Sequence, residues 1–261
     1  MRSVIFRIIL IALLLGMPAA AAARNHERSG VTLPAETLHY NVMFKWGLIN
    51  KKAGEATLSL QHGPDMYHAR LTAHSAPWAD RIYKVRDTLI GRMTYENFTP
   101  LYYEKIAHEG NEHKHDVVAY DYSEADTVRG ICTRRVFKRD VLHIDEQREM
   151  TAENRAVDML TSFYYMRSLP FQDWTPGQTE SIDIFSGKQK ELLTIRYLGI
   201  DNVESVRGES PAYHVRFIFT SGGGRKSSDD MDAWIATSAD RTPLKLEGKL
   251  PVGKVRCVLA R

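Results

Sequence analysis

Two cysteines in 261 residues are too few for a small disulfide-stapled scaffold or a cysteine-built metal framework. Glycine and proline, at 17 and 10 residues, exclude a collagenous repeat and a low-complexity chain. Excess charge of one sign is also scarce. Lys and Arg number 35 against 32 Asp and Glu, a formal net charge of +3, far from the dense basic stripe that phosphate-driven binding requires, so nucleic acid is not an expected partner. No G-x-S-x-G elbow and no H-E-x-x-H pair occurs, and neither Cys has a motif-placed His, so catalysis has no sequence signature and no cofactor is predicted. What is present is 43% hydrophobic and 26% charged, enough apolar material for a sizeable core.

The N-terminus reads as a cleaved export signal over 1–23. Arg2 and Arg7 precede an apolar run from Ile8 to Leu15, a Gly16-Met17-Pro18 breaker and the small residues Ala19 to Ala23. The run is well under the roughly 20 residues that a spanning helix needs, and the polar Arg24-Asn25-His26-Glu27-Arg28 follows, so no membrane-spanning segment is expected. The predicted location is the periplasm. There Cys132 and Cys257 would meet oxidising conditions, where they either pair or stay separately buried on their own strands.

From Glu36 the hydrophobic period is two. Leu38, Tyr40, Val42, Phe44 and Trp46 alternate with His39, Asn41, Met43 and Lys45, and two further alternations, 56–61 and 67–74, flank the turn Gln61-His62-Gly63-Pro64-Asp65. Similar patterns recur at 82–92, 99–108, 113–122, 127–138, 180–186, 190–200, 212–220, 231–237, 243–250 and 254–260. More than ten closely spaced strands predict a mainly β protein with a curved antiparallel sheet, a half-barrel or barrel, because flat sheets rarely grow so wide. One segment breaks the pattern. Over 152–168, Ala156, Met159, Leu160 and Phe163 fall at helical spacing, with Thr151 as N-cap and Pro170 as stop, predicting one long helix covering the sheet. Residues 77–81 add a possible helical turn, and no linker divides 24–261, which reads as a single domain.

The pattern Glu36-x-Leu38-x-Tyr40-x-Val42-x-Phe44-x-Trp46-Gly47-Leu48, followed by Ala53-Gly54-Glu55-Ala56, resembles the opening of the bacterial exported proteins grouped as domain of unknown function 3108. The helical stretch Asp158 to Arg167, the run Trp234-Ile235 to Asp240-Arg241-Thr242-Pro243-Leu244-Lys245-Leu246, and the closing Gly253 to Leu259 are similar as well. The resemblance implies a periplasmic, mostly antiparallel β protein, shaped like lipocalins or the open barrels of lipoprotein carriers. It supplies no catalytic residues.

Three groups of residues invite a chemical reading. The aromatics Tyr40, Phe44, Trp46, Tyr67 and Tyr83 would line an apolar cavity for a lipid-like ligand, or else fill the interior as dry core. His113 and His115, two apart on a strand, share one face, and a turn over 109–112 would bring His108 beside them as a candidate metal site. That face continues through Val117 and Ala119, which suits a barrel rim. Gly222-Gly223-Gly224 before Arg225-Lys226-Ser227-Ser228 lacks Walker spacing and reads as a flexible hairpin tip. The leading expectation is therefore a non-enzymatic binder of an amphipathic envelope ligand. The alternatives are an interaction module that pairs a sheet edge with an envelope protein, and a metal-dependent hydrolase centred on the histidines.

Overall fold

The computed structural model describes residues 31–206, 208–221, 225–226, 230–250 and 253–260. The expected signal over 1–23 and most of the glycine-rich tip lie outside them.

Strands β1 (Glu36–Trp46), β2 (Ile49–His62), β3 (Tyr67–Ser75), β4 (Val85–Met93), β5 (Pro100–Glu109), β6 (Glu112–Asp121), β7 (Thr127–Lys138) and β8 (Val141–Glu153) pair antiparallel in chain order. Beyond the short β9 (Ala156–Val157), strands β10 (Thr179–Phe185), β11 (Lys190–Ser205) and β12 (Gly208–Ser221) run the same way. The two-residue β13 (Arg225–Lys226) hangs on β12, which pairs onward with β14 (Met231–Ala236), followed by β15 (Pro243–Lys249) and β16 (Lys254–Leu259). β16 pairs with β1, from Tyr40↔Leu259 to Lys45↔Lys254, and this joins the two arms. The result is a mainly β, nearly closed barrel of 15 strands in which β8 and β9 are the edges. Each alternation read from the sequence is a strand. β8 is an additional one.

The helix is shorter than its spacing suggested and lies elsewhere. α2 spans Thr161–Ser168, after the single turn α1 (Pro77–Asp80). Asp158, not Thr151, starts it: one carboxylate oxygen accepts the N–H groups of Leu160 (2.9 Å) and Thr161 (2.7 Å), and the other accepts the Thr161 hydroxyl (2.7 Å). Upstream, Ala152 belongs to β8, and Ala156 and Val157 pair in parallel with Asp183 and Ile184. Nor does α2 cover the sheet from outside, for all its residues except Phe163 are buried. Leu160 and Tyr164 pack with Tyr67, Phe98 and Tyr103 of the first arm. Tyr165, Met166 and Leu169 pack with Ile184, Ile195 and Val215 of the second. The helix is the shared core of the two arms, which is why its apolar residues do not form a single stripe.

The edges of the barrel meet through side chains. Phe185 at the end of β10 stacks on Tyr120 at 5.7 Å between centroids, and it occupies space that a Cβ at Gly130 would need, 2.5 Å away. At Gly187 the backbone is left-handed (φ +82°), and a Cβ would lie 2.6 Å from that of Asp116, so only glycine brings the β10–β11 turn this close to β6. Farther along β8 the unpaired edge from Val141 to Gln147 has no strand beside it among the described residues. Its side chains are exposed or half-buried on both faces.

Charge is divided between the two ends of the sheet. The β1–β2 turn is flanked by exposed Lys45, Lys51 and Lys52, the β3–β4 connection carries Arg81 and Lys84, and the β7–β8 turn follows Lys138 and is Arg139-Asp140; the basic groups outnumber the acidic ones there, Asp140 and the Glu109 and Glu112 that flank the β5–β6 turn. At the opposite end the turns carry exposed Asp65, Glu96, Glu124 and Asp126, and the β11–β12 turn lies between Glu204 and Glu209. A nearly neutral chain thus folds into a barrel with one basic and one acidic end.

Cys132 on β7 and Cys257 on β16 are free and belong to different regions of the sheet. Burial pushes both thiols up to about 12.

Candidate functional site

The inner face of β4 to β7 is apolar toward one end and charged toward the other. Alternation turns Val85, Asp87 and Leu89 inward on β4, Tyr103, Lys105, Ala107 and Glu109 on β5, and Cys132, Arg134 and Val136 on β7. On β6 the inward residues are Lys114, Asp116 and Val118. The register sets Lys105 opposite Asp116, Asp116 opposite Arg134, and Arg134 opposite Glu146 on β8. A row of alternating sign therefore runs from the buried Lys105 to the free edge of β8, the cross-strand arrangement that opposite charges favour.

Some of these groups are well matched. Arg134 Nη1 donates to both oxygens of Asp116 at 3.1 and 3.2 Å, and Lys114 Nζ donates to Glu109 at 2.7 Å. Burial disfavours the charge of Lys114, but Glu109 and Glu112 outweigh it and hold the ammonium above its ordinary value. Others are poorly matched. Lys105 is 3% exposed, and no hydrogen bond or ion pair engages its ammonium among the described residues. Burial lowers its proton affinity, opposed by the fields of Glu109, Asp116 and Asp87. Asp87 accepts one bond, from the His108 N–H at 3.2 Å, and burial reinforced by Glu109 pushes its carboxyl up to about 7. The buried hydroxyls of Tyr103 and Tyr120 have no hydrogen-bond partner. Unpartnered polar atoms in an interior are costly and mark a place where something polar fits.

The β10–β11 turn roofs this region, with Gly187 against Asp116 and the Lys188 carbonyl accepting a bond from Arg148 Nη1 at 2.9 Å. Beside it the inward residues of β8, Ile144, Glu146 and Arg148, are not buried, whereas Met150 and Ala152 below them are. The polar row thus ends at a seam in the barrel wall.

The five aromatics of the first reading are not gathered into one lining. Tyr40 and Tyr67 belong to the core around α2, where the Tyr40 hydroxyl donates to the Pro243 carbonyl (2.8 Å) and the Tyr67 hydroxyl bonds the Leu33 backbone. Phe44 and Tyr83 pack in a separate small cluster with Ala53, Val85 and Leu250. Trp46 is 54% exposed at the tip of β1.

The histidines stand on the outer face, with Val117 and Ala119 as their parity required. His108 and His113 oppose each other with ring centroids 4.2 Å apart beside a shallow pocket of about 230 Å³ that Ile106 and Phe137 also line. Burial, with His113 and Lys84 nearby, lowers the proton affinity of His108. His115 lies 2.8 Å from Glu104. Among the described residues no three His, Cys, Asp or Glu side chains converge as a metal-binding group.

Lys105, Asp87, Asp116, Arg134, Tyr103 and Tyr120 were not among the residues that the sequence suggested. Their signal was parity: Asp87, Lys105 and Arg134 each sit between apolar neighbours at i±2, as Asp87 does between Val85 and Leu89, and Asp116 has Val118 at i+2.

The fold is similar to that of a β-barrel-like protein of domain of unknown function DUF1849 from Brucella abortus. The TM-score is 0.62 at 7% identity, over 89% of this chain and 98% of that one. A protein of YmcC-like fold from Bacteroides fragilis aligns over 88% of this chain and 98% of its own at 7% identity, with a TM-score of 0.37. No curated protein matches the sequence. The family model for proteins of unknown function DUF3108 matches residues 38–260, nearly all of the barrel, and the chain belongs to that family.

Proposed function

We propose that the protein is a non-enzymatic binding barrel of the periplasm whose ligand is amphipathic and meets the interior through an acceptor-rich head group. The carrying observation is Lys105, a buried side chain whose ammonium has no hydrogen-bond partner among the described residues, on the same inner face of β5 as Tyr103 with its unpartnered hydroxyl. Both are donors on one strand face, so a carboxylate or phosphate-like group would suit them, and the aromatic core around Tyr103 would receive an apolar body. The seam beside the Gly187 turn is the route of entry, and the export signal read from 1–23 supplies the location. Native mass spectrometry of protein purified from the periplasm without detergent tests this reading. The wild type retains a reproducible adduct, and Lys105→Met and Tyr103→Phe lose it. A bare wild-type mass, or adducts equal in all three, overturns the reading.

The free edge of β8 favours a second reading, as a module that pairs with an envelope protein. Val141, Leu142 and Ile144 are exposed there, next to backbone that no strand covers among the described residues. Val141→Lys with Leu142→Lys would abolish partner capture while leaving any adduct in place.

A further inference from the structure

The basic end of the barrel carries a second feature that the interior site does not use. The β1–β2 turn projects Trp46, Leu48 and Ile49 into solvent, with Leu48 fully exposed and Ile49 46% exposed. Such residues are uncommon together on a turn tip without a partner.

The surroundings of this tip are held in place and positively charged. Lys51 lies over the ring of Trp78 on α1, 4.6 Å from its centroid, and the Trp78 indole N–H donates to the Lys52 carbonyl at 2.7 Å. Arg256 donates to the Asn50 side chain at 3.2 Å, and Lys254 is paired in register with Lys45. The β3–β4 connection, in which α1 lies, adds Arg81, Lys84 and the exposed Ile82. The acidic groups within reach are matched, Glu55 by Lys52 at 2.5 Å, Asp80 on α1 by Arg86 at 2.7 Å and Glu247 by Lys254 at 2.6 Å, which leaves Lys45, Lys51, Arg81 and Lys84 as the surplus.

We infer that this end docks on the surface of an anionic bilayer, with the Trp46-Gly47-Leu48-Ile49 tip inserted at the level of the head groups and the lysines around it facing lipid phosphates. An amphipathic indole, two aliphatic side chains and a surrounding set of lysines are the components of an interfacial anchor. The acidic opposite end of the barrel would be repelled by the same surface, so the charge division fixes the orientation as well as the attraction. An apolar protein groove would satisfy the tip but not the lysines, and an acidic protein surface the reverse.

Flotation with phosphatidylcholine vesicles, with and without phosphatidylglycerol, tests the inference. The full-length mature protein floats with the anionic vesicles and stays behind with the neutral ones, and binding is lost in about 1 M NaCl, where the screening length is about 3 Å. Lys51→Glu with Lys52→Glu weakens partition at least about tenfold, since each basic residue near an anionic surface contributes about a factor of five. Leu48→Gln, which leaves the charge unchanged, also weakens it at low salt, which attraction through charge alone would not produce. The tip is solvent-exposed, so these variants keep the wild-type thermal midpoint. No binding to anionic vesicles, or equal binding by wild type and both variants, overturns the inference.

Discussion

Arg167 and Glu36 form a buried ion pair that ties together three distant parts of the chain. Arg167, on α2, has no exposed surface. Its Nη1 and Nη2 both donate to the Glu36 carboxylate at the start of β1, while Nε reaches the Arg241 carbonyl at 2.9 Å and Nη2 the Asp240 carbonyl at 2.8 Å. The forked guanidinium suits this site because one planar group meets a carboxylate and two carbonyls at once, which a lysine would not. Glu36, Arg167 and Asp240-Arg241, each within a stretch that carries the family resemblance, are thereby explained as one structural joint.

Removing one side of that joint leaves the other charge buried. Arg167→Met is expected to destabilise the barrel by about 3–5 kcal/mol, and Glu36→Gln by less, because an amide still accepts one of the bonds. Urea denaturation of the two single variants and the double variant checks this, the double costing clearly less than the sum of the singles.

Asp87 makes stability depend on pH with a definite sign. Its folded-state value, about 7, lies above the ordinary 3.8, so the folded protein holds this proton where the unfolded chain has lost it. The contribution is complete below about pH 4 and is lost as pH rises through 7. Asp158, pushed up to about 6 by burial, acts in the same direction. Asp87→Asn is expected to be more stable than wild type at pH 8 and to match it near pH 4, as thermal midpoints across that interval will show.

Tyr103→Phe removes a buried hydroxyl without a partner and leaves the ring. The ligand-free variant is expected to gain about 1 kcal/mol of stability, the reverse of the usual effect of deleting a polar contact. Tyr120→Phe behaves likewise. Chemical denaturation of protein stripped of adducts checks both.

The two thiols are expected to be inert until the barrel opens. A thiol-reactive disulfide reagent titrates neither Cys132 nor Cys257 in native protein at pH 8 and both in denaturant, because burial holds each near 12.

The strands were legible because most of them bury one face, and alternation records that. β8 escaped notice for the converse reason: from Val141 to Glu149 both of its faces are exposed or half-buried, and a strand with no buried face has no period. The helical segment misled by the opposite effect. Ala156, Met159, Leu160 and Phe163 fall at helical spacing, but the first precedes the Asp158 cap and pairs with β10, and only a three-dimensional neighbour decides that. The alternation on β1 shows a strand face but not whether that face lines a cavity or fills a core, and it runs on to Trp46, which stands exposed at the strand tip. The charged row was written in the same parity as the core, at positions where residue type alone argues for solvent.

The pairing of β1 with β16 gives the molecule a particular order of assembly. Within each arm nearly every strand lies beside its neighbour in sequence, so hairpins can accumulate as the chain emerges. The joint between the arms needs the final strand, Lys254–Leu259, and until that strand is delivered Tyr40 and Val42 have one vacant flank. A chain synthesised from its N-terminus therefore remains an unjoined ribbon until its last segment is released. Truncation at Gly253 would yield two well-formed half-walls with no ring.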